Sequence, residues 1–296
     1  WMEGVPAENL ITQFNILQDS LEIWVNDPKP QPDTMKISVK YMKTDSLGLL
    51  NSVTEQVKLA LPKGKKTTGK SSTRDIKHED TTAVFTLTAK PETVEQKGFE
   101  MEFKYPLVED AFDSLSFRYL NPKQQEFTES YTIVQDSLNL RKYILRPNTE
   151  MLPGYEYFLK VPHRKFKDIN GYYNDSSEVK VKLPNDDKLS TMILKVGNVK
   201  NKYIVDLLDE KRTNVLRSYI IDSDQDLVFP YLKAGKYSVR ITEDINRNGM
   251  VDTGILLEHK QPEKVRFYKL EDGTFLIDIP EMVEMEQNID IEAIFK

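Results

Sequence analysis

The chain contains no cysteine, and that absence excludes disulfides, thiolate metal sites and cysteine nucleophiles. It leaves the compartment open, because many exported bacterial proteins also lack the residue. Histidine is scarce, with three copies among 296 residues, so His78, His163 and His259 are all that a catalytic triad could draw on. None stands beside a serine in a strand–turn–helix elbow. Long apolar runs are missing: Ile204-Val205 and Ala83-Val84-Phe85 fall far short of the ~20 residues a membrane-spanning helix needs. There is no excess of positive charge, and a net charge of −6 argues against broad nucleic-acid binding. Sustained helical spacing is lacking; Leu10 to Leu17 comes nearest and is short. The opening Trp1-Met2-Glu3 carries no basic-then-apolar leader and reads as a cut or mature fragment whose targeting signal lies outside it.

What is present is alternation. Lys36-Ile37-Ser38-Val39-Lys40-Tyr41, Phe99-Glu100-Met101-Glu102-Phe103, Leu115-Ser116-Phe117-Arg118-Tyr119 and Val179-Lys180-Val181-Lys182-Leu183 each place apolar residues at every second position. Tyr237-Ser238-Val239-Arg240-Ile241 and Ile289-Asp290-Ile291-Glu292-Ala293 do the same. A period of two puts one row of side chains on a core and the other in water, as in half-buried antiparallel strands. Apolar residues at 39% and charged residues at 30% fit a soluble chain of two or three domains. The predicted fold class is all-β, built as tandem antiparallel β-sandwiches.

Punctuation divides the chain into a first sandwich unit at 1–61, a basic linker or insertion at 62–82, a second sandwich at 83–184 and a third unit at 185–296. The linker holds Lys63-Gly64-Lys65-Lys66-Thr67-Thr68-Gly69-Lys70-Ser71 with no large apolar residue. Pro184-Asn185-Asp186-Asp187 reads as a short hinge. Asp-Ser-Leu recurs from Asp19, Asp45, Asp113 and Asp136; aspartate and serine suit turn caps, and the leucine is expected to start a buried row.

Two patterns mislead. Gly64 to Ser71 matches the phosphate-loop spacing, and Leu207-Leu208-Asp209-Glu210 resembles its acidic companion. That chemistry needs a strand feeding the loop and a helix leaving it, so that backbone N–H groups converge on phosphate. Pro62 before the loop and the polar run Ser72 to Asp80 after it supply neither, so an NTPase is disfavoured. Carboxylate pairs for glycoside hydrolysis could be assembled from any surface rich in acids, and nothing singles one out.

Leu152-Pro153-Gly154-Tyr155-Glu156-Tyr157 has the form of a tyrosine corner, in which a core ring bonds back to its turn; Tyr157 suits the role best and Tyr155 is the alternative. Together with Tyr105-Pro106-Leu107, Asp113-Ser114-Leu115, Leu145-Arg146-Pro147 and Phe166-Lys167-Asp168-Ile169-Asn170-Gly171, this makes the second unit resemble a bacterial Ig-like domain of the S-layer-protein type. The first unit, through Asp19-Ser20-Leu21-Glu22-Ile23-Trp24 and Asp33-Thr34-Met35 to Asp45-Ser46-Leu47-Gly48, resembles the back half of another. The third, through Leu232 to Arg240, Asp244 to Gly254 and Gln261-Pro262-Glu263, resembles a transthyretin-like sandwich of the carboxypeptidase regulatory type. The resemblance implies a Gram-negative surface lipoprotein.

One loop has closely spaced chemistry. Asp244, Asn246, Asn248, Gly249 and Asp252 hold positions 1, 3, 5, 6 and 9 of an EF-hand-like calcium loop, with the Met250 carbonyl at position 7. Position 12, where a bidentate acid belongs, is Ile255; Glu243 or Glu258 could substitute from outside the register. With only Asp244 and Asp252 charged, calcium affinity would be weak, about 10⁻⁴–10⁻³ M. The plain alternative is a turn in which Asn and Gly accept left-handed backbone and Asx side chains cap N–H groups.

The expected function is therefore non-enzymatic: a spacer, adhesion or assembly module exported to the outer membrane surface or its periplasmic side. Protein partners of the envelope are expected, membrane contact only through an upstream lipid anchor, and no nucleic acid. A glycan-binding accessory protein is the rival, for which Trp24, Tyr172 and Tyr173 are the candidate exposed aromatics.

Overall fold

The computed structural model describes residues 1–15, 20–27, 29, 32–60, 81–254 and 259–296. Asp19, His78, the phosphate-loop match at 64–71, Ile255, Glu258 and all of the predicted linker but its last two residues lie outside them. The described chain is strand after strand, with antiparallel pairing dominant. No described helix is long and apolar enough to cross a membrane.

The first unit consists of two hairpins. Strand β1 (Leu10–Phe14) pairs with β2 (Leu21–Val25), and β3 (Thr34–Thr44) pairs with β4 (Leu50–Ala60) along its whole length. The near-helical spacing from Leu10 is thus realised as a strand, because pairing with Leu21–Val25 satisfies its backbone groups, which a single short helical turn could not do. The buried core here is small: Met2, Val5 and Ile37, with Leu10, Ile23, Val25, Met35 and Val39 packed around it.

The second unit is a sandwich. Its strands are β5 (Phe85–Thr88), β6 (Phe99–Phe103), β7 (Leu107–Glu109), β8 (Ser116–Leu120), β9 (Glu126–Thr128), β10 (Tyr131–Gln135), β11 (Lys142–Pro147), β12 (Glu156–Val161), β13 (Lys167–Asp168) and β14 (Ser177–Lys182). One sheet has the order β10-β11-β6-β5, the other β14-β12-β8-β9, and β7 pairs with β13 at one end. Alternation decides the facing: Phe99, Met101 and Phe103 of β6 point inward onto Phe117, Tyr157 and Leu159. Aromatic rings knit the layers, with Phe99 edge-on to Phe117 at 5.2 Å and Phe103 edge-on to Phe166 at 5.2 Å. The expected tyrosine corner is present: the Leu152 N–H donates to Tyr157 Oη at 2.7 Å. Burial pushes the Tyr157 phenol up to about 12.

The third unit is a second sandwich, of β15 (Leu189–Gly197), β16 (Tyr203–Leu208), β17 (Val215–Ile221), β18 (Gln225–Lys233), β19 (Gly235–Glu243), β20 (Val265–Phe267), β21 (Ile277–Ile279) and β22 (Glu284–Asp290). The sheets run β18-β15-β22 and β17-β16-β19-β20, with β21 added to β19. One pair departs from the antiparallel expectation, since β22 runs parallel to β15 from Thr191–Glu284 to Gly197–Asp290. The alternating stretch Ile289 to Ala293 divides at Asp290: its carboxylate accepts from the Ala293 N–H at 3.1 Å and caps a helical turn, α2 (Ile291–Phe295). In this unit too a tyrosine closes a corner, Tyr237 Oη donating to the Lys233 carbonyl at 2.7 Å.

The Asp-Ser-Leu repeats cap turns as expected at two places. Asp45 Oδ1 accepts from the N–H groups of Leu47 and Leu49, and Asp136 Oδ1 from those of Leu138 and Asn139. The leucines diverge. Leu115 is buried, whereas Leu47 is 82% exposed, because the Asx turn holds it at the tip of the β3–β4 hairpin rather than in a strand.

Candidate functional site

Strand β19 runs directly into the loop Asp244 to Gly254. Asp244 itself is 1% exposed: its N–H donates to the Lys202 carbonyl at 2.9 Å, which pins it to the start of β16. Three Asx contacts then wind the loop inward. Asp244 Oδ2 accepts from the Gly249 N–H at 2.9 Å, Asn246 Oδ1 from the Asn248 N–H at 3.1 Å, and Asn248 Oδ1 from the Met250 N–H at 2.8 Å. Asp252 Oδ2 takes the side-chain amides of Asn246 and of Asn248, the latter at 2.7 Å. Gly249 sits at φ +76, and a Cβ there would lie 2.9 Å from Ile220 Cδ1. The loop folds down over the outer face of β17, and it is the left-handed backbone at Gly249 that favours glycine, since the Ile220 methyl is the mobile end of an exposed side chain.

Two residues outside the expected set complete the loop. Glu263, buried, uses both oxygens: Oε1 accepts from the Ile245 N–H at 2.9 Å and Oε2 from the Asp252 N–H at 3.0 Å. It ties the entrance of the loop to its exit, whereas Glu243, one of the two acids expected to complete the loop, instead accepts from the Asn201 side chain at 2.8 Å. Lys202 Nζ lies 3.5 Å from Asp244 Oδ2 and donates to the Arg247 carbonyl at 2.9 Å. The structure thus brings Asp244, Asn246, Asn248, Met250 and Asp252 into one loop. Among the described residues no three acidic or histidine side chains converge as a metal-holding group, so any cation here would need amide and carbonyl oxygens as well as carboxylates.

A second kind of site lies at the junctions between units, and at each a glutamine stands in for a peptide group. Gln13 of β1 donates to the Leu138 carbonyl at 3.1 Å and accepts from the Leu140 N–H at 3.0 Å. Alongside, the Arg141 guanidinium lies over the Trp24 ring at 5.4 Å and 3.4 Å from Glu22. Between the second and third units, Gln96 in the short helix α1 (Val94–Lys97) donates to the Ser218 carbonyl and accepts from the Ser218 N–H at 2.7 Å. Beside it the buried Arg217 reaches across to Glu95 Oε2 at 2.6 Å and donates to the Glu92 carbonyl, while Lys233 pairs with Glu92 at 2.8 Å. An apolar cleft lined by Pro153, Leu183, Leu216, Tyr231 and Tyr237 runs along the same seam. Burial raises the Glu95 carboxyl above its ordinary value in spite of Arg217, whereas the hydrogen bond from Lys233 lowers Glu92. The stretch 184–187 expected to act as a hinge is bridged by these contacts, because residues distant in sequence lock both flanks.

The remaining candidates take structural places. Asp209, in the NTPase-like tetrapeptide, caps the β16–β17 turn: it accepts from the Asn214 side chain at 2.7 Å and from the N–H groups of Thr213 and Asn214. These contacts, the Asn214 side chain first, hold its pKa below the usual value. His163 faces Asp175 at 3.8 Å with both side chains well exposed, and His259 sits at φ 53 in an exposed turn. Of the three aromatics considered for glycans, Trp24 lies under Arg141, and Tyr173 lies near Arg164 and Lys167 with its hydroxyl donating to Glu109 at 3.2 Å. Tyr172 is the one that stands open, at 42% exposure.

No protein-family model and no curated protein matches this chain. Among solved structures it is similar to native alpha-2-macroglobulin from Escherichia coli spanning domains MG0-NIE-MG1, at 11% identity over 67% of this chain and 96% of that one, with a TM-score of 0.25. A group B streptococcus pilus 2b backbone protein aligns at 12% identity over 70% and 96% of the two chains, with a TM-score of 0.19. The BSP domain of a biofilm associated protein aligns at 13% identity over 55% and 27%, with a TM-score of 0.20. Superposition this loose decides neither family nor activity.

Sequence reasoning missed Gln13, Gln96, Arg217, Lys202 and the clamping role of Glu263. Nothing in the spacing marks the glutamines, since a peptide-mimicking amide has no motif. Glu263 carried a usable signal, an isolated acid in Gln261-Pro262-Glu263 just after an Asx-rich loop that lacked its closing carboxylate.

Proposed function

We propose that this chain is a non-enzymatic structural and interaction protein of the bacterial surface, acting as a spacer, adhesion or envelope-assembly module. The observation that carries the reading is the locked junction between the second and third sandwiches. Arg217, Glu95, Glu92, Gln96, Ser218 and Lys233 join two separately cored units across a connection of a few residues. Tandem domains default to relative motion unless their interface resists it, and a braced junction suits a chain that must hold a binding surface at a fixed distance. The finer assignment belongs to the same proposal: Ig-like units of the S-layer type followed by a transthyretin-like unit, held at the outer membrane by an upstream lipid anchor. Glycan binding has less support, since cations cover Trp24 and Tyr173.

Fractionation of cells expressing the full-length protein, combined with protease treatment of intact cells, tests the location. Recovery with outer membranes and digestion from outside are expected; a cytoplasmic pool untouched by protease overturns the reading. Cross-linked pull-down from native envelope membranes then separates assembly from glycan binding, through stable protein partners in the first case and polysaccharide alone in the second.

A further inference from the structure

We propose that the loop Asp244 to Asp252 binds calcium, with Glu263 as the positioning residue that replaces the missing acid at position 12. The observation beyond the loop's own turns is Asp244. Its side chain is fully buried, yet Oδ1 has no hydrogen-bond partner, while Oδ2 accepts from the Gly249 N–H within the loop. A buried carboxylate oxygen without a donor is costly, and a cation inside the loop removes that cost. The other oxygens that the loop carries are of the kind found in a hard-cation shell: the amides of Asn246 and Asn248, the Met250 carbonyl and the carboxylate of Asp252. The set has oxygen donors only, no imidazole and no sulfur ligand, which selects calcium over zinc or copper. Mixed side-chain and carbonyl donors on an irregular loop suit calcium better than the strict octahedron that magnesium demands. Glu263 holds the ends of this shell together by gripping the Ile245 and Asp252 N–H groups, so the loop is closed from a position eleven residues beyond Asp252.

Lys202 sets the terms of the test, because its ammonium already lies 3.5 Å from Asp244 Oδ2. It either lowers calcium affinity by repulsion or is itself the loop's cation, and the two cases separate cleanly. Thermal unfolding of the intact chain is followed in EDTA, in calcium chloride and in magnesium chloride. With a dissociation constant of about 10⁻⁴–10⁻³ M, about 10 mM calcium should raise the midpoint of the third sandwich by about 3–10 °C. Magnesium should raise it far less. Asp252→Asn should abolish the calcium shift, read as the difference between the variant's own midpoints in calcium and in EDTA. Lys202→Met should tighten calcium binding, on the order of tenfold by calorimetry, through removal of a nearby positive charge. No shift in calcium, or a shift that persists in Asp252→Asn, overturns the proposal. So does a Lys202→Met variant that melts lower in EDTA and is not rescued by calcium, which would make Lys202 the loop's own cation. The outcome is independent of where in the cell the protein resides.

Discussion

Strands β3 and β6 carry the same kind of sequence and meet different fates. In β3, Met35, Ile37, Val39 and Tyr41 alternate with polar residues; in β6, Phe99, Met101 and Phe103 do the same. The β6 residues are sealed, because a second sheet bearing Phe117, Tyr157 and Leu159 lies across them. On the β3–β4 hairpin only Ile37 is buried, and Val57 directly opposite it remains 43% exposed. Alternation therefore specifies which face of a strand seeks a core, but a facing layer must supply the core. The two sandwiches have one; within the described residues the first unit has only the partial cover of β1, β2 and the opening segment.

Substitutions in the sealed cores should show the contrast at its largest. Leu159→Ala and Leu207→Ala each delete a fully buried side chain and should cost about 2–5 kcal/mol, read as a lowered midpoint in the unfolding transition of the sandwich concerned. The junction between the sandwiches comes next. Arg217→Ala should cost about 3 kcal/mol by leaving Glu95 and the Glu92 carbonyl without their buried partner, and small-angle scattering should report a longer, more variable particle.

Glu95→Gln should be milder, since burial already favours the neutral carboxyl. Because the folded pKa of Glu95 is raised, the folded state keeps its proton after the unfolded state has lost it. Its contribution is complete below the ordinary glutamate pKa and is lost as pH rises through the folded value. Glu92, lowered by Lys233, has the opposite sign and weakens as pH falls. Glu95→Gln should abolish the first effect and keep the second, which pH-dependent melting of the variant and parent will show.

Tyr157→Phe should cost about 1–2 kcal/mol, the worth of a partly buried N–H losing its acceptor. The same phenol predicts an alkaline limit: with its folded pKa pushed up to about 12 against 10.0 for the free side chain, stability should fall between those two pH values as the unfolded state ionises first. The Phe variant should lose less stability over that window. The smallest effect belongs to the open hairpin, where Val57→Ala should change stability by less than about 0.5 kcal/mol. A large loss at Val57 would mean that the exposed face is covered in solution, and the contrast with β6 would collapse.

The candidate loop was legible in part. The spacing of Asp244, Asn246, Asn248, Gly249 and Asp252 marked a compact turn of oxygen-bearing side chains, and the structure makes that turn with the predicted Asx contacts. Its closure by Glu263 and its contact with Lys202 could not be read, because both depend on which chain segments lie beside β19. The junctions were less legible still. Pro184 to Asp187 has the composition of a hinge, and only the approach of Arg217 to Glu95 shows that it is braced.

By itself the sequence determined the local matters: period-two strands, the Asx caps at Asp45 and Asp136, the corner at Tyr157 and the glycine at the left-handed turn of Gly249. Each follows from the geometry of a few consecutive residues. Tertiary structure alone decided that β22 would lie parallel to β15 and that glutamine amides would take the place of peptide groups at two seams. It also decided that one amphipathic hairpin would keep much of its apolar face open while another strand of the same pattern was sealed. Those outcomes turn on contacts between residues dozens of positions apart, where the free energy of burial depends on the opposing surface and not on the strand that presents it.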